Sequence, residues 1–299
     1  MGANYFADDN QFTATVTGVT GVAETARMAA LSRAKVLSNA YSLDLTRLAA
    51  ATLGAGGLAN RDVQALLEVH LSPGVTPGAL AERTGRPSSA VSRSLRHLQA
   101  YGLIQRDTDL HDRRSSHLTL TRDGHARVRA FEAAAVDYFA THAPLANRIV
   151  SLLGSPTRFE SAASSYTPLT LLAEMASTGA AFAADVDATL TPLGVVEASD
   201  RMALSLIHDR GPLRPRDLTQ ALELTPAGVA GLLDRLERHG MLRRTQADDA
   251  SDGRAVLVSL TPAGEDAAVL MLRILDQHAD ETARVFALAA ITRRTNGAA

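Results

Sequence analysis

Between residues 20 and 53, apolar side chains recur every three or four positions with no proline, the period of one long helix; Gly54, Gly56 and Gly57 close it. Shorter helical periods follow at 61–71, 76–83 and 87–100, separated by SPG and TGRP. Pro77 and Pro87 sit near helix starts, where the missing N–H costs nothing. After Gly102 the alternation changes to that of strands, at Leu103–Arg106 and His117–Leu120, joined by the charged loop DTDLHDRRSS. Helix resumes over 121–140, and again after Pro144 to about 153. The order then repeats. A long helix is predicted over 161–190, three short ones at 198–208, 214–221 and 225–239, strands at 241–246 and 255–260 around QADDASDGRA, and a last helix over 262–292. Residues 1–18 and 293–299 are expected to be disordered tails.

The repetition extends to the letters. Residues 62–106 realign with 200–244 at a constant offset of 138, so that Asp62 falls on Asp200, His70 on His208, Leu95 on Leu233, Gly102 on Gly240 and Arg106 on Arg244. The register then slips by two, and TLTRDG (119–124) falls on SLTPAG (259–264). A repeat this long is a duplicated domain, not a solenoid unit. Three helices closed by a β-hairpin form a winged helix-turn-helix. The copies are expected over 19–154, with the winged core at 61–127, and over 155–292, with the core at 199–267. GSP (154–156) is the expected joint. Long helices at both ends of each copy need a partner for their apolar faces, and the other copy supplies it. The expected fold class is therefore mainly α with small β-hairpins (α+β), two tandem winged helices joined by long helices as an intramolecular pseudo-dimer.

Composition narrows the chemistry. Cysteine is absent, which excludes disulfides, Cys-ligated zinc and thiol redox switching. No apolar run reaches the length of a membrane span, and the acidic, polar N-terminus is no signal peptide, so a cytoplasmic protein without membrane contact is expected. A net charge of −2 excludes bulk electrostatic attraction to nucleic acid but not local binding by well-placed arginines. Lys35 is the sole lysine.

Both halves resemble the MarR family of bacterial transcription regulators. The resemblance rests on SSAVSRSLRHLQAYGLIQR with the wing DLHDRRSSHLTLTRDG, and on AGVAGLLDRLERHGMLRR with DASDGRAVLVSLTPAGE. It spans about residues 20–292. Family members are usually homodimers with interleaved terminal helices, so this chain resembles such a dimer fused end to end. The resemblance implies double-stranded DNA as partner and a repressor released by a small aromatic or anionic effector. That effector would sit between winged helix and helical interface, where Arg27, Arg33, Tyr41 and Arg47 are candidates.

The residues expected to meet DNA are unequal between copies. The first recognition helix offers Ser88, Ser89, Ser92, Arg93 and Arg96, with His97 beside them and Val91, Leu95 and Leu98 facing inward. Serine donates to bases or phosphate, arginine forks onto guanine, and the N-terminal part of such a helix enters the major groove. The family resemblance adds the wing residues Arg113 and Arg114, with Asp112 shaping the turn. In the second copy, Pro226, Ala227, Ala230 and Gly231 replace the serines and Arg93, and Asp234 replaces Arg96. Arg235, Arg238 and the wing residue Arg254 remain, beside Glu237, Asp248 and Asp249. Residues 62–127 hold nine basic against seven acidic side chains, and residues 200–267 nine against eleven. The expected division is a first copy that reads sequence and a second that touches backbone through Arg254 and Arg214 or Arg216.

Other signals carry less. Residues 54–59 spell a dinucleotide fingerprint, but helix and not strand precedes them. His70 and His208 share a position and hence a structural role. His111, His117 and His125 lack metal-ligand spacing, and no metal or cofactor is expected. No catalytic constellation stands out, so no enzyme is expected. Two rival readings are a protein-interaction module on a decayed winged helix, and the accessory domain of an enzyme such as a methyltransferase. The second lacks any nucleotide-binding βαβ unit.

Overall fold

The computed structural model describes residues 9–54, 58–108, 116–154, 166–246 and 256–292, with side chains from residue 23 onward. In chain order the helices are α1 (Asp9–Thr52), α2 (Asn60–Leu71), α3 (Pro77–Thr84), α4 (Ser88–Ala100), α5 (Arg122–Leu153), α6 (Pro168–Leu190), α7 (Ala198–Arg210), α8 (Pro215–Leu222), α9 (Pro226–Arg238), α10 (Pro262–Gln277) and α11 (Ala279–Ile291). Strands β1 (Ile104–Thr108) and β2 (Ser116–Leu120) form one antiparallel hairpin, and β3 (Leu242–Gln246) and β4 (Val256–Leu260) another. A single bridge joins each hairpin to the segment before the second short helix of its copy, Val75–Leu118 and Leu213–Val258. The expected fold class, mainly α with small β-hairpins in two tandem winged helices, is the one observed.

Three elements depart from the sequence reading. Helix α1 begins at Asp9, well inside the expected tail, where no proline stops it. Helix α5 runs unbroken through Pro144, giving up one backbone hydrogen bond instead of ending. The expected last helix is two, because His278 leaves helical geometry at φ −95°, ψ 8°. The expected start of the second long helix, from 161, and the joint at 155–156 lie outside the described residues.

The chain divides into two compact units that cut across the sequence repeat. One contains Met1–Val36 and Thr189–Asp276, and the other Leu37–Ala188 and Gln277–Ala299. Each unit keeps one winged helix whole and adds helix from the other sequence copy. In the second unit α11 packs along α5, burying Phe286, Leu288 and Ala289 with Phe131, Phe139 and Ala146. Tyr41 of α1 lies at the centre of this packing, fully buried, with its ring edge-on to Tyr138 at 5.0 Å and to Phe286 at 5.1 Å. In the first unit Arg27 of α1 forms an ion pair with Asp276 of α10.

Within each winged helix the same joint closes the hairpin onto the next helix. Thr121 donates its N–H to the Leu103 carbonyl (3.1 Å) and its hydroxyl to that of Gly102 (2.6 Å), and its Oγ1 accepts the Gly124 N–H (2.9 Å). Thr261 repeats this with Met241, Gly240 and Gly264. These are the threonine and glycine of the two LTxxG segments. The glycine is required sterically: a Cβ at Gly124 would lie 2.0 Å from the Leu103 carbonyl oxygen, and one at Gly264 would lie 1.9 Å from that of Met241.

Candidate nucleic-acid interface

Helix α4 is amphipathic as expected. Val91, Leu95 and Leu98 are buried, and Leu66, Leu67 and Leu80 of α2 and α3 are buried with them. The opposite face carries Ser88, Ser89, Ser92, Arg93 and Arg96, all exposed. Spacings of three and four residues place these side chains on one side of the helix, at its N-terminal end. Among the described residues, neither Arg93 nor Arg96 has an ion-pair partner. Their charges therefore face solvent unneutralised. The wing residues Asp112, Arg113 and Arg114 lie outside the described residues, as do Arg254, Asp248 and Asp249 of the second wing.

The equivalent face of α9 has a different electrostatic state. Val229, Leu233 and Leu236 keep the buried stripe, while Pro226, Ala227, Ala230 and Gly231 are exposed and offer no side-chain donor. Asp234 and Glu237 both bind Arg244 of β3, at 2.6 and 2.7 Å. Arg235 turns inward to Asp200, donating through Nε at 3.0 Å and Nη2 at 2.6 Å to a fully buried carboxylate. That hydrogen bond raises the Arg235 pKa further above its ordinary value. Arg238 and Arg216 are exposed, and Arg214 caps α8 half-buried. The structure thus groups the α4 candidates on one face and turns Arg235 onto a buried carboxylate.

Two of the histidines singled out in the sequence, His117 and His208, find hydrogen-bond partners within the fold, whereas His70 Nδ1 is buried without one among the described residues. His117 bonds the Gly74 carbonyl through Nδ1 at 2.8 Å, and His208 bonds Glu265 at 2.6 Å. His70 faces His125 at 6.2 Å between ring centroids. Its pKa is lowered, first by burial and then by the His125 charge, against an opposing pull from Glu132. No cluster of three metal-ligating side chains exists among the described residues.

Of the four effector candidates, Arg27 is in its ion pair, Arg33 is exposed, Arg47 pairs with Asp44 at 2.9 Å, and Tyr41 is core. A polar cluster that the sequence reading missed lies nearby on α1 and α7 in the first unit. Lys35 is half-buried, and its pKa is pushed down to about 8, first by desolvation and then by the Arg201 guanidinium. Burial likewise lowers the Arg201 pKa. One turn from Lys35, Ser32 is buried, and its hydroxyl makes no hydrogen bond among the described residues. The lone lysine on an apolar helix was the available signal.

Two winged cores, each with a three-helix core and a hairpin wing, define a tandem winged helix-turn-helix protein. Residues 57–115 match the MarR family, and residues 198–256 match it a second time. The chain thus carries two MarR-family copies in tandem, one in each half of the sequence repeat. Among solved structures, a Staphylococcus aureus MepR–DNA complex is 26% identical over 39% of this chain and 94% of its own, with a TM-score of 0.32. A crystal structure of MarR is 26% identical over 35% and 76%, with a TM-score of 0.31. The Thermotoga maritima transcriptional regulator Tm0710 is 29% identical over 31% of this chain, with a TM-score of 0.26, and the chain spans 64% of its length. No curated protein matches. No described helix is long and apolar enough to cross a membrane.

Proposed function

We propose that this chain is a sequence-specific DNA-binding repressor whose first winged helix reads bases and whose second contributes contacts to the backbone. The observation that carries this reading is the contrast between recognition helices. On α4, Arg93 and Arg96 stand exposed beside three serines, whereas on α9 the acids are bound to Arg244 and Arg235 is bound to Asp200. Free guanidiniums fork onto guanine or phosphate; neutralised ones do neither. A symmetric dimer favours a palindromic site, and a diverged pair is released from that constraint. Asp234 and Glu237 share the single Arg244 guanidinium, which offsets part of the acidic charge that supports a protein-interaction reading of the second copy.

Release by a small anionic effector is part of the proposal. Its support is the Ser32, Lys35 and Arg201 cluster, where two cations and a buried hydroxyl converge between α1 and α7. An anion there would offset the desolvation, and after it the Arg201 repulsion, that lower the Lys35 pKa.

Selection from random duplex DNA tests the reading, with wild type and Arg93→Ala/Arg96→Ala compared at two salt concentrations. The expected result is one conserved half-site beside a degenerate flank, lost in the double variant. Two matching half-sites would refute the division of labour, and no enrichment at low salt would refute DNA reading.

A further inference from the structure

Each winged core opens with a buried aspartate at the same station, Asp62 in α2 and Asp200 in α7, both fully excluded from solvent. Each accepts the backbone N–H three residues earlier, from Ala59 at 3.1 Å and from Glu197 at 3.4 Å. Their other partners differ. In the second copy, Arg235 from the second half of α9 closes a two-point fork on both oxygens. In the first copy the equivalent residue of α4 is His97, which reaches only Oδ2, at 3.4 Å, with its side chain 47% exposed. Among the described residues Asp62 Oδ1 makes no hydrogen bond, and Arg61 Nε stands 3.8 Å away. Arg86 donates to Gln64 at 3.3 Å on the same helix.

A buried carboxylate at the base of a recognition helix is a costly feature unless it is paired, and paired it fixes what it pairs with. The apolar stripe lets a helix rock about its long axis. A polar tether on the flank of that stripe sets its angle. We propose that this aspartate is the anchor of each recognition helix, that Arg235 is a positioning residue and not a DNA contact, and that His97 is its single-point counterpart in the reading copy. The inference rests on the DNA-reading proposal and adds what holds the reader at its working angle. The tether that is loose is the one under the helix that must fit base edges, and the rigid one is under the helix that offers none.

The test uses the duplex enriched by the wild-type chain, with affinity measured against salt concentration for wild type, Arg235→Gln, His97→Ala and His97→Arg. Were Arg235 bound to a phosphate, its replacement would lower the slope of log affinity against log salt by about one; a positioning residue leaves that slope unchanged. His97→Ala is expected to weaken binding about two- to tenfold, evenly across single-base variants of the site, with the slope unchanged. His97→Arg transplants the fork, and is expected to restore wild-type affinity and raise the melting temperature. It cannot fail by leaving the carboxylate barer than it is. A slope change in Arg235→Gln, a loss confined to one base pair in His97→Ala, or failure of His97→Arg to bind at least as well as His97→Ala would overturn the assignment. If wild type enriches no duplex, it is the DNA reading that falls, whereas a bound duplex with any of these three outcomes rejects the anchor alone.

Discussion

Replacing Gly124 by alanine places one methyl group where a backbone carbonyl already sits. The new Cβ would be 2.0 Å from the Leu103 oxygen and 2.9 Å from its carbon. Ordinary contact requires a retreat of about 1.2 Å, and the obstacle is main chain, which cannot rotate aside as a side chain does. That retreat breaks the joint made by Thr121, whose N–H donates to the same oxygen at 3.1 Å and whose hydroxyl caps α5 at 2.9 Å. Loss of the cap costs about 1 kcal/mol and loss of the backbone bond about another 1. Overpacking adds about 1–3 kcal/mol, while the helix gains somewhat under 1 kcal/mol from alanine. The net expectation is destabilisation by about 3 kcal/mol, or a fall in melting temperature of roughly 6–12 °C. Differential scanning calorimetry reads it directly, and Gly264→Ala, with its Cβ 1.9 Å from the Met241 oxygen, is expected to match. Gly231 is the control, since it lies inside α9 with nothing within 4 Å of where a Cβ would stand. Gly231→Ala is expected to stabilise by about 0.5–1 kcal/mol. A Gly124→Ala melting temperature within about 2 °C of wild type would refute the steric account of this glycine.

Two further expectations concern buried polar groups. The Tyr41 hydroxyl is buried without a hydrogen-bond partner among the described residues, so Tyr41→Phe is expected to be neutral or to stabilise by about 1 kcal/mol in urea unfolding; a loss of that size would show a partner. Lys35, held at about 8 against an ordinary 10.5, binds fewer protons folded than unfolded across that window, so its contribution to stability rises with pH between the two values. Lys35→Met is therefore expected to be the more stable protein at pH 7, by about 2 kcal/mol after allowing for the partial exposure of the amine, with the difference shrinking toward pH 10. Parallel unfolding curves at both pH values would show instead that the amine is solvated.

The duplication, the order of elements and the buried stripes were all legible along the chain, because each depends on local periodicity and on spacing. Val91, Leu95 and Leu98 alternate with Ser92, Arg93 and Arg96 at helical intervals, and no long-range information is needed to sort them. The aspartates at 62 and 200 were visible as a matched pair, and so were the threonine and glycine of each LTxxG. Their reasons were not. That Gly124 must pass over the Leu103 carbonyl, or that Arg235 faces a buried carboxylate 35 residues away, is a fact about distances between distant segments. The same holds for Tyr41, a candidate cleft residue by its place on a helix, which the packing of α5 and α11 turns into core. Charge counts showed that the copies differ, nine against seven and nine against eleven, but not which charges are free. Folding settles that question, because an arginine's availability to DNA depends on what stands within about 3 Å of its guanidinium, and no count along the chain contains that distance.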